Sequence, residues 1–406
     1  MAENDSITLR GEVGAPASEV YHYFTNPTFL REWFADAAST RIAEGGRVFL
    51  GWDHGYGVVG NFTTLVPGKQ VSSTWIGSMD PGPSEVAVVL EPAAKGTRVT
   101  ITHSWPRGEG WEQFRRGMQR TWERSLENLA SVMETGQDLR FTRRPMLGVM
   151  VDAEINPERA AKHGIPVDYG VLLSSTAEGM GARAAGLTGG DVVVRLGDTP
   201  ITSFGSFAIG LQQHRAGDTV EVVYYREGKE HRAPMTLSGR PIPDVPDTAA
   251  ALAEYVADLY RWVDGELAKA LEGATDAELT VRPAPDEWSG REVLAHLLDG
   301  EGDGHAFIAD LVLGAERVAD GPFDNSHLRT RVTADSFATV AEMVATYHRL
   351  EQQTVALLAA LPDDFVARKG SFWRLAYSYT QGRQHYEDHF GQIRAAIEAV
   401  RAHPRR

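Results

Sequence analysis

The sequence predicts a multidomain α+β protein, with an α+β domain first, a small β-rich domain in the middle and an all-α four-helix bundle at the end. Two stretches, 136–145 and 239–247, are polar or proline-rich, lack helical periodicity and are typical of linkers. They divide the 406 residues into three segments of single-domain size. We therefore place the domains at 1–137, 143–240 and 246–406.

Composition narrows the class of function. The chain has no cysteine, which excludes disulfides, thiolate metal ligands and a cysteine nucleophile. A net charge of −15 disfavours non-specific binding to nucleic acid. No apolar run reaches the roughly 18 residues of a membrane span, and the first residues lack the apolar stretch of a secretory signal. We therefore expect a cytoplasmic protein without nucleic-acid or membrane partners.

The first segment combines strand-like and helical patterns. A strand-like run at 6–16 is followed by a helical pattern that breaks at Pro27. Alternating runs bounded by glycine and proline come next, and a long helical run at 110–134 closes the segment. Together these predict a curved antiparallel sheet that grips the last helix.

Six of the nine tryptophans lie in this segment, and four of them are candidates to line a ligand pocket: Trp33, Trp52, Trp75 and Trp105. Aromatic side chains suit an apolar ligand, but they also dominate ordinary core packing, so both alternatives stand. His54 and His103 could face the same cavity. No acid, base or nucleophile is positioned around them, so the segment predicts no catalytic group.

Two runs of this segment are similar to a known family. "PASEVYHYFTNPTFLREWF", "GVVGNFTTLVPGKQVSSTW" and the tryptophan-containing last helix resemble the START-like (SRPBCC) superfamily, especially the branch related to heat-shock ATPase activators. The resemblance implies a helix-grip fold. It also implies a hydrophobic pocket between sheet and helix, with a small apolar ligand as partner.

The middle segment carries a second resemblance. "AAGLTGGDVVVRLGDTPI" at 184–201 contains a glycine-rich turn, an acid at Asp191, a buried strand and a second turn. Together with "PMLGVMV" at 145–151, it resembles a bacterial PDZ domain of the type attached to HtrA-like proteases. The resemblance implies that a peptide adds as a strand to an open sheet edge. No Ser-His-Asp arrangement accompanies it, so we do not expect proteolysis.

The PDZ resemblance also implies which residues bind a protein's C-terminal peptide. Loop amides at Leu147, Gly148 and Val149 would receive the carboxylate, and Gly148 would let the backbone approach the ligand closely. The helix that begins at 204 would form the other wall, with Phe207 and Leu211 one turn apart. The alternative is a spacer that only joins its neighbours.

The third segment is helical in period throughout. Four amphipathic runs of 20 or more residues predict a four-helix bundle: 248–273, 289–314, 336–361 and 371–402. The connection at 311–335 is long for such a fold and suggests a crossover.

Three histidines of this segment suggest a metal site. His385 and His389, in "QHYEDHFGQI", lie on successive turns beside the apolar stripe of the last helix, and such a pair can bring two ring nitrogens to one ion. His296, in "VLAHLLDG", has an apolar context in which an unpaired imidazole would be costly. The alternative for all three is that they are hydrogen-bonded or solvated side chains.

The same residues resemble a known bundle. "DEWSGREVLAHLLD", followed by a His-x-x-x-His pattern in the last helix, resembles the DinB-like superfamily, which includes bacillithiol and mycothiol S-transferases and maleylpyruvate isomerase-type enzymes. The resemblance implies that His296, His385 and His389 bind a divalent metal, zinc or nickel. An open metal position would activate water or a thiol. Without cysteine, the protein would take a low-molecular-weight thiol as cosubstrate.

Nearby polar residues have two interpretations. Glu292, Asp299 and Asp388 lie one turn from the three histidines, and they either orient the imidazoles or are ordinary solvated charges. Three further histidines are expected at the surface or in loops: His305, His327 and His348.

The function predicted first is a metal-dependent thiol transferase, isomerase or hydrolase acting on a small molecule, fused to ligand-binding and peptide-binding domains. The alternative is a non-enzymatic adaptor or sensor whose metal is structural or absent. A peptide-binding domain is unusual in a small-molecule enzyme, so the adaptor function remains an alternative. The sequence predicts no catalytic side chain.

Overall fold

Seven strands of the first segment form one antiparallel sheet, because apolar residues alternate along them and turn to one face. The computed structural model describes residues 4–53, 55–108, 110–316 and 327–402. The sheet order is β1-β7-β6-β5-β4-β3-β2. Its strands are β1 (Asn4–Val13), β2 (Ala37–Thr40), β3 (Arg47–Gly51), β4 (Gly57–Val66), β5 (Gln70–Gly77), β6 (Ser84–Ala93) and β7 (Gly96–Pro106).

Three helices complete this segment: α1 (Ala17–Tyr23), α2 (Pro27–Trp33) and α3 (Trp111–Thr135). The break at Pro27 is a helix start, since the Asn26 side chain accepts a hydrogen bond from Thr28 N and proline occupies the first helical position. Trp122 and Leu129 of α3 are buried in the same core as the sheet. This is the predicted helix-grip arrangement.

The middle segment is a small β-rich unit of its own, Leu139–Pro243. Its strands are β8 (Pro145–Met146), β9 (Val149–Glu154), β10 (Val171–Thr176), β11 (Val192–Leu196), β12 (Thr199–Pro200), β13 (Thr219–Arg226), β14 (Lys229–Thr236) and β15 (Ser238–Gly239). Its helices are α4 (Leu139–Thr142), α5 (Pro157–His163), α6 (Gly181–Ala184) and α7 (Phe204–Gln212). The main sheet runs β14-β13-β11-β10-β9, so β9 is an edge strand.

The third segment forms the predicted bundle. Its helices are α8 (Ala249–Ala270), α9 (Asp276–Thr280), α10 (Gly290–Leu313), α11 (His327–Asp335), α12 (Val340–Ala359), α13 (Asp363–Ala367), α14 (Lys369–Thr380) and α15 (Gly382–Ala402). The long helices α8, α12, α10 and α15 contact one another in a ring. Their apolar stripes share one core.

One helix prediction is wrong. The run 371–402 is two helices, because α14 ends at Thr380 and α15 starts at Gly382. The N–H of Gln381, between them, bonds to Ser378 O. Glycine is a poor helix former, which favours a break at this point. Much of the connection predicted as a crossover, residues 317–326, lies outside the described residues.

The first and third segments together form one compact unit, Met1–Asp138 with Asp244–Arg406. Glu316 follows the bundle's α10; its side chain is 6% exposed and pairs with Arg31 of α2 at 2.6 Å. The same carboxylate takes a second arginine, Arg374 of α14, also at 2.6 Å. The Asn26 side chain donates to Gly314 O at 3.0 Å. The predicted boundaries between the domains stay predictions.

A buried acid lies in the same contact. Glu32 of α2 is 3% exposed, and its Oε1 accepts the hydroxyl of Ser371 on α14. Burial raises the pKa of Glu32 to about 7, although Ser371, Arg374 and Tyr23 each lower it. The carboxyl therefore lies close to its titration point at neutral pH.

Candidate metal centre

The three predicted histidines meet on one side of the bundle. His296 comes from α10, while His385 and His389 come from successive turns of α15. Each offers one ring nitrogen, and these three atoms all lie within 4.8 Å of one another. The ring centroids of His385 and His389 are 4.3 Å apart, and that of His296 lies 4.7 Å from His389. The helices thus bring together all three candidate ligands.

All three imidazoles favour the neutral form that a metal ligand needs. Burial, assisted by the other two histidines, lowers the pKa of His296 to about 4. Burial also lowers the pKa values of His385 and His389. Nδ1 of His389 lies 2.8 Å from Gln392 Oε1, a carbonyl that can only accept, so Nδ1 carries the proton and Nε2 keeps its lone pair. This donor set fits a divalent transition metal.

A pocket of about 270 Å³ adjoins the site. His296 and His385 form part of its wall, together with Tyr260, Tyr386 and the carboxylate of Glu301. Several hundred cubic ångströms is the scale of a small-molecule site. The histidines therefore face a space in which a substrate could lie.

Sequence reasoning missed Glu301. Its side chain is 8% exposed, and it accepts hydrogen bonds from Tyr260 Oη at 2.9 Å and Thr354 Oγ1 at 2.9 Å. Tyr386 Oη adds a longer bond of 3.3 Å. Burial raises the pKa of the carboxyl despite these donors. A signal was present, because Glu301 continues the apolar stripe of α10 four residues after Leu297.

The three acids considered as orienting groups have other contacts. Glu292 accepts from Arg282 and from the backbone N–H of Ser289 at the start of α10, which makes it part of a helix cap. Asp299 accepts a hydrogen bond from Thr333 of α11, and Asp388 accepts one from Gln384, one turn earlier on α15. The residue that orients a histidine is Gln392.

The other three bundle histidines divide between two environments. His327 is exposed on α11 and accepts from Trp288 Nε1, as expected for a surface residue. The expectation is wrong for His305, whose Nε2 lies 2.8 Å from Thr354 Oγ1 inside the helix pack. His348 is 39% exposed, as expected for a surface residue, and it lies 3.0 Å from an Asp264 oxygen on the neighbouring helix.

The predicted tryptophan pocket is small. Trp33 and Trp75 line a cavity of about 40 Å³ between sheet and helix, which has room for a few water molecules at most. Trp52 and Trp105 are not part of its lining. Trp52 instead donates to Phe34 O, and Trp105 stacks on Trp111. A larger apolar ligand requires movement of the core side chains.

His103 belongs to the core of this segment. It is fully buried, its Nδ1 accepts from Trp122 Nε1, and its Nε2 lies 2.8 Å from Ser84 Oγ. Burial lowers the pKa of His103 to about 3, so the ring is neutral. His54 lies outside the described residues.

The residues predicted to bind a peptide lie around the β9 edge. Leu147 is buried in the core of this unit, Val149 starts β9, and Phe207 and Leu211 of α7 are partly buried against the same core. Gly148 has φ +74°, and a Cβ there would lie 2.1 Å from Met180 Cβ. The fold itself therefore requires this glycine, whatever its role toward a ligand.

Comparisons with known proteins find a different family in each of three successive stretches of the chain. Three family models match successive stretches: "Activator of Hsp90 ATPase homolog 1-like protein" at 14–134, "PDZ domain" at 145–237 and "DinB superfamily" at 259–393. The chain carries one domain of each family. The histidines thus belong to its DinB domain.

Curated relatives match the PDZ domain. "Serine protease Do-like HtrA" of Lactococcus lactis is 39% identical over 99 residues, which cover 23% of this chain and 24% of that protein. "Probable periplasmic serine endoprotease DegP-like" of Marinomonas is 32% identical over 98 residues, covering 24% and 21%. The chain spans about a quarter of the length of these relatives or less.

Solved structures resemble the chain over about a third of its length. The solution structure of the Aha1 dimer from Colwellia psychrerythraea is 23% identical, covers 32% of this chain and 96% of that one, and has a TM-score of 0.29. No helix among the described residues has the length and apolar character needed to span a bilayer. Location in the cytoplasm stays a prediction.

Proposed function

We propose that the DinB domain binds a divalent metal ion, zinc or nickel, through His296, His385 and His389, and that it catalyses a reaction of a small molecule in the adjoining pocket. The observation that carries this proposal is the convergence of three imidazoles, two of which line a pocket that also holds a buried carboxyl. The metal, when bound, supplies a Lewis acid that lowers the pKa of a water or thiol.

The second partner in the proposed reaction is a low-molecular-weight thiol. The chain has no cysteine, so any thiol nucleophile comes from outside the protein. Transfer of such a thiol, isomerisation or hydrolysis all fit the pocket's chemistry. The DinB superfamily resemblance favours the thiol-dependent reactions among these.

Glu301 is the side chain that can move a proton in this pocket. A carboxyl whose pKa is raised by burial exchanges a proton near neutral pH more readily than an exposed one. Tyr260 and Thr354 hold it in place through their hydroxyls. We assign to Glu301 the role of general acid or base toward the substrate.

Metal analysis tests the proposal directly. The purified protein, stripped and then reconstituted with zinc or nickel, should bind at the three-histidine site, and His385→Ala and His389→Ala should each abolish that binding. Loss of reactivity toward model electrophiles with a small thiol should follow in both variants. Equal metal content in the wild type and in both variants would contradict the proposal.

Substitution of Gln392 by alanine is expected to lower the metal affinity of this site about 10–100-fold, because His389 loses the hydrogen bond that fixes its tautomer. The measurement is competition for the metal with a chelating dye. Gln384→Ala is the matched control, since Gln384 lies on the same helix but bonds to Asp388. Equal affinities for the two variants would exclude an orienting role for Gln392.

The PDZ domain supports a second candidate function, binding of a C-terminal peptide. β9 pairs with β10 on one side, and its other edge has no partner strand among the described residues. Met150 of β9, 64% exposed, and Phe204 of α7, 41% exposed, are apolar side chains still open to solvent. A library of peptides with free C-termini, screened against the full chain, tests this function. If no peptide binds, the domain is a spacer.

An adaptor or sensor function for the whole chain predicts a different outcome of the metal analysis. A metal bound with every coordination position filled by protein would be structural, and thiol-dependent reactivity would be absent. Peptide binding together with that result would favour the adaptor over the enzyme.

A further inference from the structure

A second group of ligand-type side chains joins α8 to α12. Asp264 comes from α8, whereas His348 and Glu351 lie one turn apart on α12. Each offers one ligand atom, and the three atoms all lie within 4.8 Å of one another. His348 Nε2 is 3.0 Å from Asp264 Oδ1. None of these residues belongs to the three-histidine site.

Two oxygens of this group are buried without a hydrogen bond. Glu351 is 3% exposed, and its Oε1 has no hydrogen-bond partner among the described residues. Asp264 Oδ1 also has none in that part of the chain, so the nearby imidazole N–H is not aligned on it. A buried carboxylate oxygen without a partner is costly. The arrangement therefore needs a positive charge.

A proton or a cation could supply that charge. Burial and the neighbouring Asp264 carboxylate raise the pKa of Glu351 to about 10, which shows how strongly two such groups resist joint ionisation. A proton shared by the Asp264 and Glu351 carboxyls would give the His348 nitrogen no bonding partner. A cation takes one ligand atom from each residue. Two ligands at about 2.1 Å on a tetrahedral ion lie about 3.4 Å apart, so the 3.0 Å between His348 and Asp264 needs only a small side-chain adjustment to admit one.

We propose that Asp264, His348 and Glu351 bind a divalent transition-metal ion that ties α8 to α12. One imidazole nitrogen and two carboxylates suit zinc, manganese or ferrous iron better than calcium or magnesium, which prefer oxygen ligands. The side chains of Asp264 and His348 are 41% and 39% exposed, so the ion is reachable from solvent. Glu351 closes the inner side of the site. The site is independent of the proposed catalytic function.

The experiment uses the full chain with His296, His385 and His389 all replaced by alanine. After equilibrium dialysis against zinc or cobalt, this variant should retain one ion per chain. Adding Glu351→Gln should weaken that binding at least 10-fold, and His348→Asn should shift the visible absorption of bound cobalt. Glu254→Gln, an exposed acid on α8, is the matched control and should leave both unchanged.

Two results would overturn this proposal. One is a folded triple variant that binds no ion, which would leave a proton as the neutralising charge. The other is an ion whose affinity Glu351→Gln does not alter. If the triple variant fails to fold, Glu351→Gln in the otherwise wild-type chain should lower the bound metal by one ion. Metal retained at the three histidines then separates this site's failure from that of the proposed catalytic centre.

Discussion

Replacement of Gly370 by valine is expected to lower the free energy of unfolding of the unit formed by the first and third segments by about 3 kcal/mol. A Cβ at Gly370 would lie 2.5 Å from Glu32 Oε2 and 2.6 Å from Val132 Cγ1. Neither atom has room to retreat, because Glu32 is 3% exposed and Val132 is fully buried. The new side chain would push α14 away from α2 and α3.

Urea denaturation of the full chain measures this effect. Gly391→Val is the matched control, because it is the same change on α15, where a Cβ meets no atom within 4 Å. We expect that substitution to change stability by no more than about 0.5 kcal/mol. Equal losses in the two variants would show that the contact between the segments is not responsible.

Glu32→Gln is expected to remove a pH dependence of about 3 kcal/mol from the stability of the same unit. Burial places the pKa of Glu32 at about 7 in the folded state, above its ordinary value of 4.5. The folded protein therefore holds this proton more tightly than the unfolded chain. The stabilisation is complete below pH 4.5 and is lost as the pH rises through 7. Glutamine is neutral at every pH in this range, so it makes no pH-dependent contribution to stability.

The measurement is the difference in free energy of unfolding between wild type and variant at pH 5 and at pH 8. The wild type should lose about 2.5 kcal/mol relative to Glu32→Gln between these values, because the contributions of all other titrating groups are the same in both proteins. Glu44→Gln, an exposed acid, should keep a constant difference from wild type. A constant difference for Glu32→Gln as well would mean that its carboxyl titrates normally in the folded protein.

Periodicity was enough to predict the folds of the first and third segments, whereas the fold of the middle segment was predicted from its resemblance to PDZ domains. Alternation of apolar and polar residues along the strands indicates one buried face. The apolar stripes of the four long bundle helices are visible directly in the sequence. The pair His385 and His389 is visible because both residues lie on one helix. His296 could be added because an imidazole in an apolar run needs a partner.

Glu301 and Glu351 show where sequence reasoning stops. Both continue the apolar stripe of a helix, so their positions could have marked them as buried acids. What each contacts depends on other helices: Tyr260 is 41 residues from Glu301 in sequence, and Thr354 is 53 residues away. Local patterns contain no information on such distant partners.

The contact between the first and third segments was beyond prediction for the same reason. Glu32 and Ser371 are 339 residues apart, and no local sequence pattern links them. In the sequence, nothing distinguishes Gly370 from any other glycine near the start of a helix. Only the folded structure shows that its missing side chain makes space for α2 and α3.

Because the PDZ domain is encoded between the two parts of one compact unit, the order of synthesis matters. The first part of this unit, which ends at Asp138, leaves the ribosome about 240 residues before α14 is complete at Thr380. At about 5–20 residues per second, the nascent helix-grip domain has its docking face uncovered for about 10–50 s. During that interval the PDZ domain has time to fold, and the uncovered face is open to chaperones until the last helices arrive.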